Sequence, residues 1–237
     1  MAVELRVQDG PEEVAAAALE VIVGAMREAI AQRGVAHLSL AGGNTPKRTY
    51  EQLAGALGSW ENVELWFNDE RAVPPDDPQS NFKMVAEALG GHPTLHRIAG
   101  EGDPEAAAQA YEREMRARIE ATAEAGLPVI DLHVLGIGPD GHTASLFPDY
   151  PALDETKSWV VGVSKANVEP FVPRVTLTLP TLASCREMLF EVAGSDKRAI
   201  LTRTFAGENL PANRARSNGE TIWLVDQAAL PENFRGR

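Results

Sequence analysis

The sequence predicts an α/β fold with a mostly parallel sheet whose two faces are covered by helices. Two observations lead to this prediction. Apolar runs of strand length alternate with segments of helical periodicity, and polar, glycine-rich loops follow several of the strands. Because parallel neighbours need long crossover connections, usually helices, this alternation favours a buried parallel sheet. No glycine- and serine-rich linker divides the chain, so we expect one domain over residues 1–237.

The composition is that of an ordinary soluble globular protein. Of its residues, 44% are hydrophobic and 24% are charged. A chain of 237 residues is long enough to bury a core without disulfides or metals. A single cysteine, Cys185, excludes an intrachain disulfide and a cysteine-based zinc site. The N-terminus lacks a secretory pattern, and no apolar run approaches the roughly 18 residues of a membrane span. We therefore expect a reduced, cytoplasmic protein with no membrane partner.

The charge balance limits the classes of partner. The chain has 22 basic and 34 acidic residues, so its formal net charge is 22 − 34 = −12. Binding to nucleic acid phosphates needs clustered lysine and arginine, so no nucleic acid partner is expected. A small anionic ligand remains compatible, because it requires only a local positive pocket. The oligomeric state is not indicated by the sequence.

The first half of the chain shows regular alternation. The predicted elements are a helix over 11–33, a strand over 35–40, a helix capped by Thr45, a strand over 63–67 and a helix from about Asn81 to Leu89. Pro11 favours the start of the first helix and Gly34 its end. Ser80 is the predicted cap of the third helix.

The second half continues the pattern. The predicted elements are a short strand over 95–98, a long helix from Asp103 to about Ala125, the most hydrophobic strand over 129–137, strands in WVVGV, RVTLTL, EMLFEVA and TIWLV, and short helices near 180–184, 196–206 and 211–216. Four polar loops follow strands, at 41–46, 68–81, 136–148 and 194–198. In a parallel sheet these loops meet at one edge, where ligands of such folds bind.

Two glycine-rich loops are candidate anion sites. The loop at 136–141 matches G-x-G-x-x-G, but it lies past the middle of the chain, contains Pro139 and lacks an acidic residue about 20 positions on, so we do not predict a dinucleotide site. The AGGNTP segment at 41–46 joins a strand to a helix. Its backbone N–H groups and the helix N-terminus suit an anion. A tight turn with a good helix cap would explain the two glycines of this segment equally well.

The candidate functional side chains are cations and one histidine. Arg71, Arg174 and Lys197 follow or begin strands at the predicted edge, either as phosphate ligands or as surface charges. His142 lies in the loop after the most buried strand, where it is either a general base or an ordinary loop histidine. Asp140, two residues earlier, is placed to orient the imidazole ring.

The other polar residues favour structural roles. Asp69-Glu70 and Asp76-Asp77 are carboxylate pairs in one loop, and turn chemistry explains them better than metal binding or acid–base catalysis. His133 is expected inside a strand, and Cys185 is expected to be a small apolar residue in or near a helix.

Four blocks in order resemble the 6-phosphogluconolactonase family, and the resemblance covers nearly the whole chain. The blocks are SLAGGNTPKRTYEQL, WFNDERAVPPDDPQSNFKM, DLHVLGIGPDGHTASLFP and PRVTLTLP with FEVAGSDKR. The resemblance implies a three-layer α/β/α sandwich with a mostly parallel, Rossmann-like sheet. It also implies hydrolysis of 6-phospho-D-glucono-1,5-lactone to 6-phospho-D-gluconate, the second step of the oxidative pentose phosphate pathway, with no metal and no cofactor.

The resemblance also assigns residues to the site. His142 would be the catalytic base, with Asp140 and Asp69 near it. The sugar-phosphate pocket would be formed by Gly42, Gly43, Asn44, Thr45, Arg71, Arg174 and Lys197. Which cation binds phosphate, and which stabilises the reacting carbonyl, stays open, as does selectivity between the 1,5- and 1,4-lactones.

Two alternative functions remain. The first is a deaminase or isomerase like that acting on glucosamine-6-phosphate, which resembles the chain at the glycine loop and the D-G-H block. Such deaminases carry a carboxylate soon after that block, in a pattern like G-H-I-A-F-N-E-P, whereas this chain has GHTASLFP. The second is a non-catalytic sugar-phosphate sensor, which the acidic charge and the lack of a recognisable helix-turn-helix segment disfavour.

Overall fold

A parallel sheet of seven strands forms the centre of the protein. The computed structural model describes residues 2–90, 94–120 and 126–232. The strand order is β1-β10-β9-β6-β2-β3-β5, and every neighbouring pair is parallel. These strands are β1 (Ala2–Gln8), β2 (Ala36–Leu40), β3 (Val63–Phe67), β5 (Thr94–Leu95), β6 (Ile130–Leu135), β9 (Cys185–Val192) and β10 (Glu220–Asp226).

Helices form the connections, as the alternation predicts. They are α1 (Pro11–Arg33), α2 (Asn44–Ala56), α3 (Asn81–Ala88), α4 (Pro104–Arg118), α5 (Leu179–Ala183), α6 (Arg198–Phe205) and α7 (Pro211–Arg214). Gly34 ends α1 with a φ of 81°, and Ser80 caps α3 by accepting a hydrogen bond from the Lys83 N–H at 3.2 Å. Both predicted helix boundaries are confirmed.

Side chains of β9 show that helices cover both faces of the main sheet. Phe190 stacks on Trp223 of β10 with ring centroids 4.0 Å apart, and Phe205 of α6 packs edge-on against the same indole. The next side chain, Glu191, lies on the opposite face, where it accepts a hydrogen bond from Thr49 of α2. The predicted α/β/α arrangement is therefore confirmed.

A second, antiparallel sheet was not predicted. It consists of β4 (Asp69–Arg71), β8 (Arg174–Leu177) and β7 (Val160–Val163) in the order β4-β8-β7. The sequence predicts a polar loop at β4, because its residues are Asp-Glu-Arg. These charged residues pair in a sheet because neighbouring loops satisfy their side chains, a tertiary effect that local patterns do not contain.

Three other boundaries differ from prediction. The strand expected over 95–98 is limited to Thr94–Leu95, and α4 ends at Arg118 rather than near Ala125; residues 121–125 lie outside the described part. Strand β1 was missed, because it is an edge strand with Val3 and Val7 exposed and therefore lacks a continuous apolar run. Cys185 is buried as expected, but it begins β9. Among the described residues, no helix is both long and apolar enough for a membrane crossing.

Candidate active site

A cleft of about 430 Å³ lies at the carboxyl edge of the main sheet. The loops that follow β2, β3, β6 and β9 form it, together with β4 and β8 of the small sheet. The predicted convergence of these loops is thereby confirmed. Of the residues predicted for the site, the cleft is lined by Gly42, Gly43, Asn44, Thr45, Asp69, Arg71, His142, Arg174 and Lys197. Asp140 lies behind His142.

His142 and Asp140 form a hydrogen-bonded pair. The Nδ1 atom of His142 lies 2.5 Å from Asp140 Oδ1, and the His142 backbone N–H donates to the same oxygen at 3.1 Å. Burial acts to raise the pKa of Asp140, but the hydrogen bonds and charge of His142 outweigh it and lower that pKa below its usual value. Asp140 is therefore an ionised acceptor, which places the proton on Nδ1 and leaves the Nε2 lone pair available as a base.

Gly138 makes room for the imidazole of His142. A Cβ atom at position 138 would lie 1.9 Å from His142 Cε1 and 2.1 Å from Nδ1. The Gly138 N–H donates to the His142 carbonyl at 2.9 Å, which closes the loop around the ring. The G-x-G spacing that resembles a dinucleotide motif therefore serves a close backbone approach to this histidine.

Substituting Gly138 with alanine should displace the ring. We expect Gly138→Ala to lower turnover at least about tenfold, because an ångström-scale misplacement of a catalytic group is costly. Gly102→Ala is the control, since Gly102 is exposed, does not line the cleft, and a Cβ there meets nothing within 4 Å. Steady-state kinetics and thermal melting of both variants check this. Equal activity of the two variants would contradict the role of Gly138.

The diglycine loop leads directly into α2. Gly43, with a φ of 107°, occupies the N-cap position, and no side chain caps the helix. The prediction that Thr45 is the cap is therefore wrong: the cap and the start of the helix lie two residues earlier, at Gly43 and Asn44, because the glycine with positive φ turns the chain into the helix. The N–H groups of this first turn stay available to an anion in the cleft, and the helix dipole favours negative charge there.

Asp69 ties two of the loops together. Its Oδ2 accepts a hydrogen bond from Ser145 Oγ at 2.5 Å, and Asn81 Nδ2 lies 3.0 Å from its carbonyl oxygen and 3.3 Å from Oδ1. Asp69 lines the cleft as predicted, but its carboxylate is bonded to Ser145 and Asn81 and not to His142. Its geometry suits a residue that positions the loop of His142.

Glu70, the next residue of the same strand, has a structural role. Its carboxylate accepts hydrogen bonds from the N–H groups of Arg71, Asn81 and Phe82 and from the Ser80 hydroxyl. Burial raises the pKa of Glu70, against the effect of these donors. It therefore fixes the ends of the 71–81 segment, in agreement with the loop-structural role expected for this carboxylate pair.

Two arginines face each other across the small sheet. Arg71 and Arg174 are register partners on β4 and β8. Arg174 is 3% exposed and donates to the carbonyl oxygens of Pro170 at 2.7 Å and Val172 at 3.3 Å. Arg71 donates to the Gln79 carbonyl at 2.6 Å. Over the described ranges, neither guanidinium has a carboxylate within 4.0 Å.

These cations favour an anionic ligand. Burial lowers the pKa of Arg174 to about 10, with Asp69 acting to raise it and Arg71 to lower it further, so Arg174 stays protonated at neutral pH. Like charges that face each other across strands are destabilising. Lys197, in the turn after β9, adds a third cation and donates to the Ile137 carbonyl at 2.9 Å. Carboxylates also line the cleft, but none of the described ones lies within 4.0 Å of these three cations, so an anionic ligand could pair with them directly.

Glu191 is a cleft residue that the sequence analysis missed. It lies near the end of β9, is 2% exposed and lines the cleft. Its Oε2 accepts from Thr49 Oγ1 at 2.6 Å, whereas its Oε1 has no hydrogen-bond partner among the described residues. The available signal was a single carboxylate inside the apolar run EMLFEVA, close to its carboxyl end.

A second cleft, of about 550 Å³, lies at the amino end of the main sheet. Its arginines, Arg33 and Arg186, are both paired with the buried Asp131, at 2.7 and 3.3 Å. Both arginines are therefore already compensated, and the described residues that line this cleft include no histidine. Among the described residues, no group of three or more His, Cys, Asp or Glu side chains is arranged to hold a metal ion.

Comparisons with known proteins identify the family of this chain. The family model described as glucosamine-6-phosphate isomerases/6-phosphogluconolactonase matches residues 9–223. The chain belongs to this family. A 6-phosphogluconolactonase of Synechocystis is 39% identical to it, over 92% of each chain. One of Mycobacterium tuberculosis is 36% identical, over 90% of this chain and 92% of its own.

Solved structures of the family share the fold. A 6-phosphogluconolactonase of Thermotoga maritima superposes with a TM-score of 0.85 and 30% identity, over 95% of this chain and all of its own. One of Leishmania guyanensis gives a TM-score of 0.87 at 29% identity, over the full length of both chains. A monomeric glucosamine-6-phosphate deaminase reaches 0.79 at 22% identity over 95% of this chain and 98% of its own, a likeness of fold alone.

Proposed function

We propose that this chain hydrolyses 6-phospho-D-glucono-1,5-lactone to 6-phospho-D-gluconate. The relatives named above as 6-phosphogluconolactonases support this function. The observation that carries it is the placement of the His142–Asp140 pair in one cleft with Arg71, Arg174 and Lys197. A base beside uncompensated cations suits an ester whose other end carries phosphate.

The reaction begins with water activation. Neutral His142 accepts a proton at Nε2 from a water molecule, and the water oxygen attacks the C1 carbonyl of the lactone. Asp140 holds the ring through Nδ1 and stabilises the imidazolium that forms. Positioned general-base catalysis contributes about 10²–10⁴-fold. No covalent acyl-enzyme is required.

Ring opening completes the reaction. Negative charge on the carbonyl oxygen is met by donors in the cleft, since groups aimed at developing charge stabilise the transition state most. Protonated His142 then gives its proton from Nε2 to the departing ring oxygen, which becomes the C5 hydroxyl. The imidazole returns to its neutral form. The new carboxylic acid then releases its proton to solvent, so each turnover yields one carboxylate and one proton.

The phosphate group is held away from the histidine. We assign it to the first turn of α2, with Lys197 and Arg174 as its counter-charges. The uncapped N–H groups of that turn support this assignment, as does the lack of a carboxylate partner for either cation among the described residues. Arg71 contributes further positive charge to the cleft.

Freshly generated lactone provides the direct test. The chain should accelerate hydrolysis above the spontaneous rate, measured by pH-stat or by coupling to 6-phosphogluconate oxidation. Ammonia release from glucosamine-6-phosphate would instead favour the deaminase. Tight sugar-phosphate binding without hydrolysis would favour the sensor. The cytoplasmic location and the single domain stay predictions.

A further inference from the structure

Glu191 has one satisfied and one unsatisfied oxygen at the floor of the cleft. Thr49 Oγ1 donates to Oε2 at 2.6 Å, while Oε1 is buried with no partner in the described part of the chain. Thr49 lies one helical turn after Thr45, so Glu191 sits beneath the first turn of α2. A buried polar atom without a partner costs free energy unless a ligand or water satisfies it.

In the described part of the chain, no cation lies within 4.0 Å of the Glu191 carboxylate. The buried side chains of α1 are all apolar, and the register partner of Glu191 on β10 is Leu224. The titratable groups on the other neighbouring elements are Lys47, Arg48, Tyr50 and Glu51 on α2, Asp131 and His133 on β6, Glu220 and Asp226 on β10, and Asp196 and Lys197 after β9. Of those on α2, only Tyr50 is buried. Burial raises the pKa of Tyr50, with Glu191 adding to the effect, so Tyr50 is a neutral neighbour.

Glu191 can therefore change between its neutral and its ionised form near neutral pH. Burial raises the pKa of Glu191 to about 7, against the hydrogen bond from Thr49, which acts to lower it. The carboxyl is neutral below that pH and ionised above it. Glu191 lines the same cleft as Asn44 and Thr45, so a phosphate bound at the first turn of α2 would share that cleft with the Glu191 carboxylate. An ionised Glu191 would repel it.

We propose that Glu191 determines binding of the sugar phosphate as a neutral carboxylic acid, with Oε1–H donating a hydrogen bond to the bound phosphate group. Ligand binding then takes up one proton from solvent when Glu191 starts ionised. The inference rests on the proposed function, because it takes the ligand to be a sugar phosphate. It adds a ligand-contacting residue and a pH dependence to that function.

The test is the affinity for 6-phosphogluconate between pH 7.0 and 8.5, measured by calorimetry. With a pKa of about 7, the neutral fraction of Glu191 falls about 15-fold over this range, and the wild-type affinity should fall with it. Glu191→Gln keeps a neutral donor and cannot ionise, so its affinity should change less than about threefold. Calorimetry at pH 8 in buffers of different ionisation enthalpy should show proton uptake by the wild type that the glutamine variant lacks.

Two further variants separate this role from a structural one. Glu187→Gln alters the same strand at the opposite end of the sheet and should keep the wild-type pH profile. Thr49→Val removes the bond that favours the ionised form, so the loss of affinity should move to higher pH. Identical profiles for wild type and Glu191→Gln would overturn the proposal, as would a folded Glu191→Gln that binds more than tenfold more weakly at pH 6.5. Failure of the wild type to bind 6-phosphogluconate would instead count against the proposed function.

Discussion

Replacing His142 with alanine should lower the turnover of freshly generated lactone by about 10²–10⁴-fold, the range expected for loss of a positioned general base. Binding of 6-phosphogluconate should persist, because the proposed phosphate contacts lie on α2, β8 and the turn after β9. Turnover is measured with correction for spontaneous hydrolysis, and product binding by calorimetry. The effect should therefore appear in kcat with little change in Kd.

A substitution of Asp140 should give a smaller effect than the loss of His142. Asp140→Asn keeps the shape of the side chain but removes the charge that orients and stabilises the imidazolium, so we expect a smaller loss of kcat than with His142→Ala. Asp149→Asn, at an exposed position of the same loop, is the matched control and should behave like the wild type. Near-normal turnover by His142→Ala would remove this histidine from the mechanism.

Replacing Lys197 with alanine should mainly weaken substrate binding. A hydrogen bond to a charged group contributes about 1.5–3 kcal/mol, which corresponds to a rise in KM of roughly 10- to 150-fold. We expect kcat to stay within about threefold, because the ammonium is assigned to the phosphate and not to the reacting carbon. Steady-state kinetics on fresh lactone give the two parameters separately.

Lys83 provides the control for this charge removal. Its ammonium pairs with Glu87 on the exposed side of α3, so Lys83→Ala should leave KM unchanged while altering net charge equally. Lys197→Arg should restore part of the affinity, since it keeps the positive charge. A large fall in kcat with an unchanged KM for Lys197→Ala would reassign this lysine to the reacting carbonyl.

Elements with strong periodicity or clear boundary residues were predictable from the sequence. Strand β3 matches its predicted span, and α1 begins at Pro11 and ends at Gly34 as expected. The convergence of the loops after the strands was also predictable, because parallel strands place their carboxyl ends at one edge of the sheet. These features depend on local pattern and on sheet geometry, both of which a single sequence contains.

Features that depend on partners distant in the chain were not predictable. Strand β4 consists of charged residues, and only Ser145, Asn81 and the start of α3 explain why Asp69 and Glu70 are buried. The role of Glu191 depends on Thr49, which precedes it by 142 residues. Periodicity identifies which face a residue occupies, but not which side chain of another element meets it.

The bond between Ser145 and Asp69 limits how this enzyme scaffold can be re-engineered. It joins the segment that carries His142 to the small antiparallel sheet that carries Arg71 and Arg174. If a chimera imports only one of these segments from a relative, the buried Ser145 hydroxyl or the buried Asp69 carboxylate can lose its hydrogen-bond partner. The two segments therefore form a single exchangeable module, and loop grafting should transfer them together.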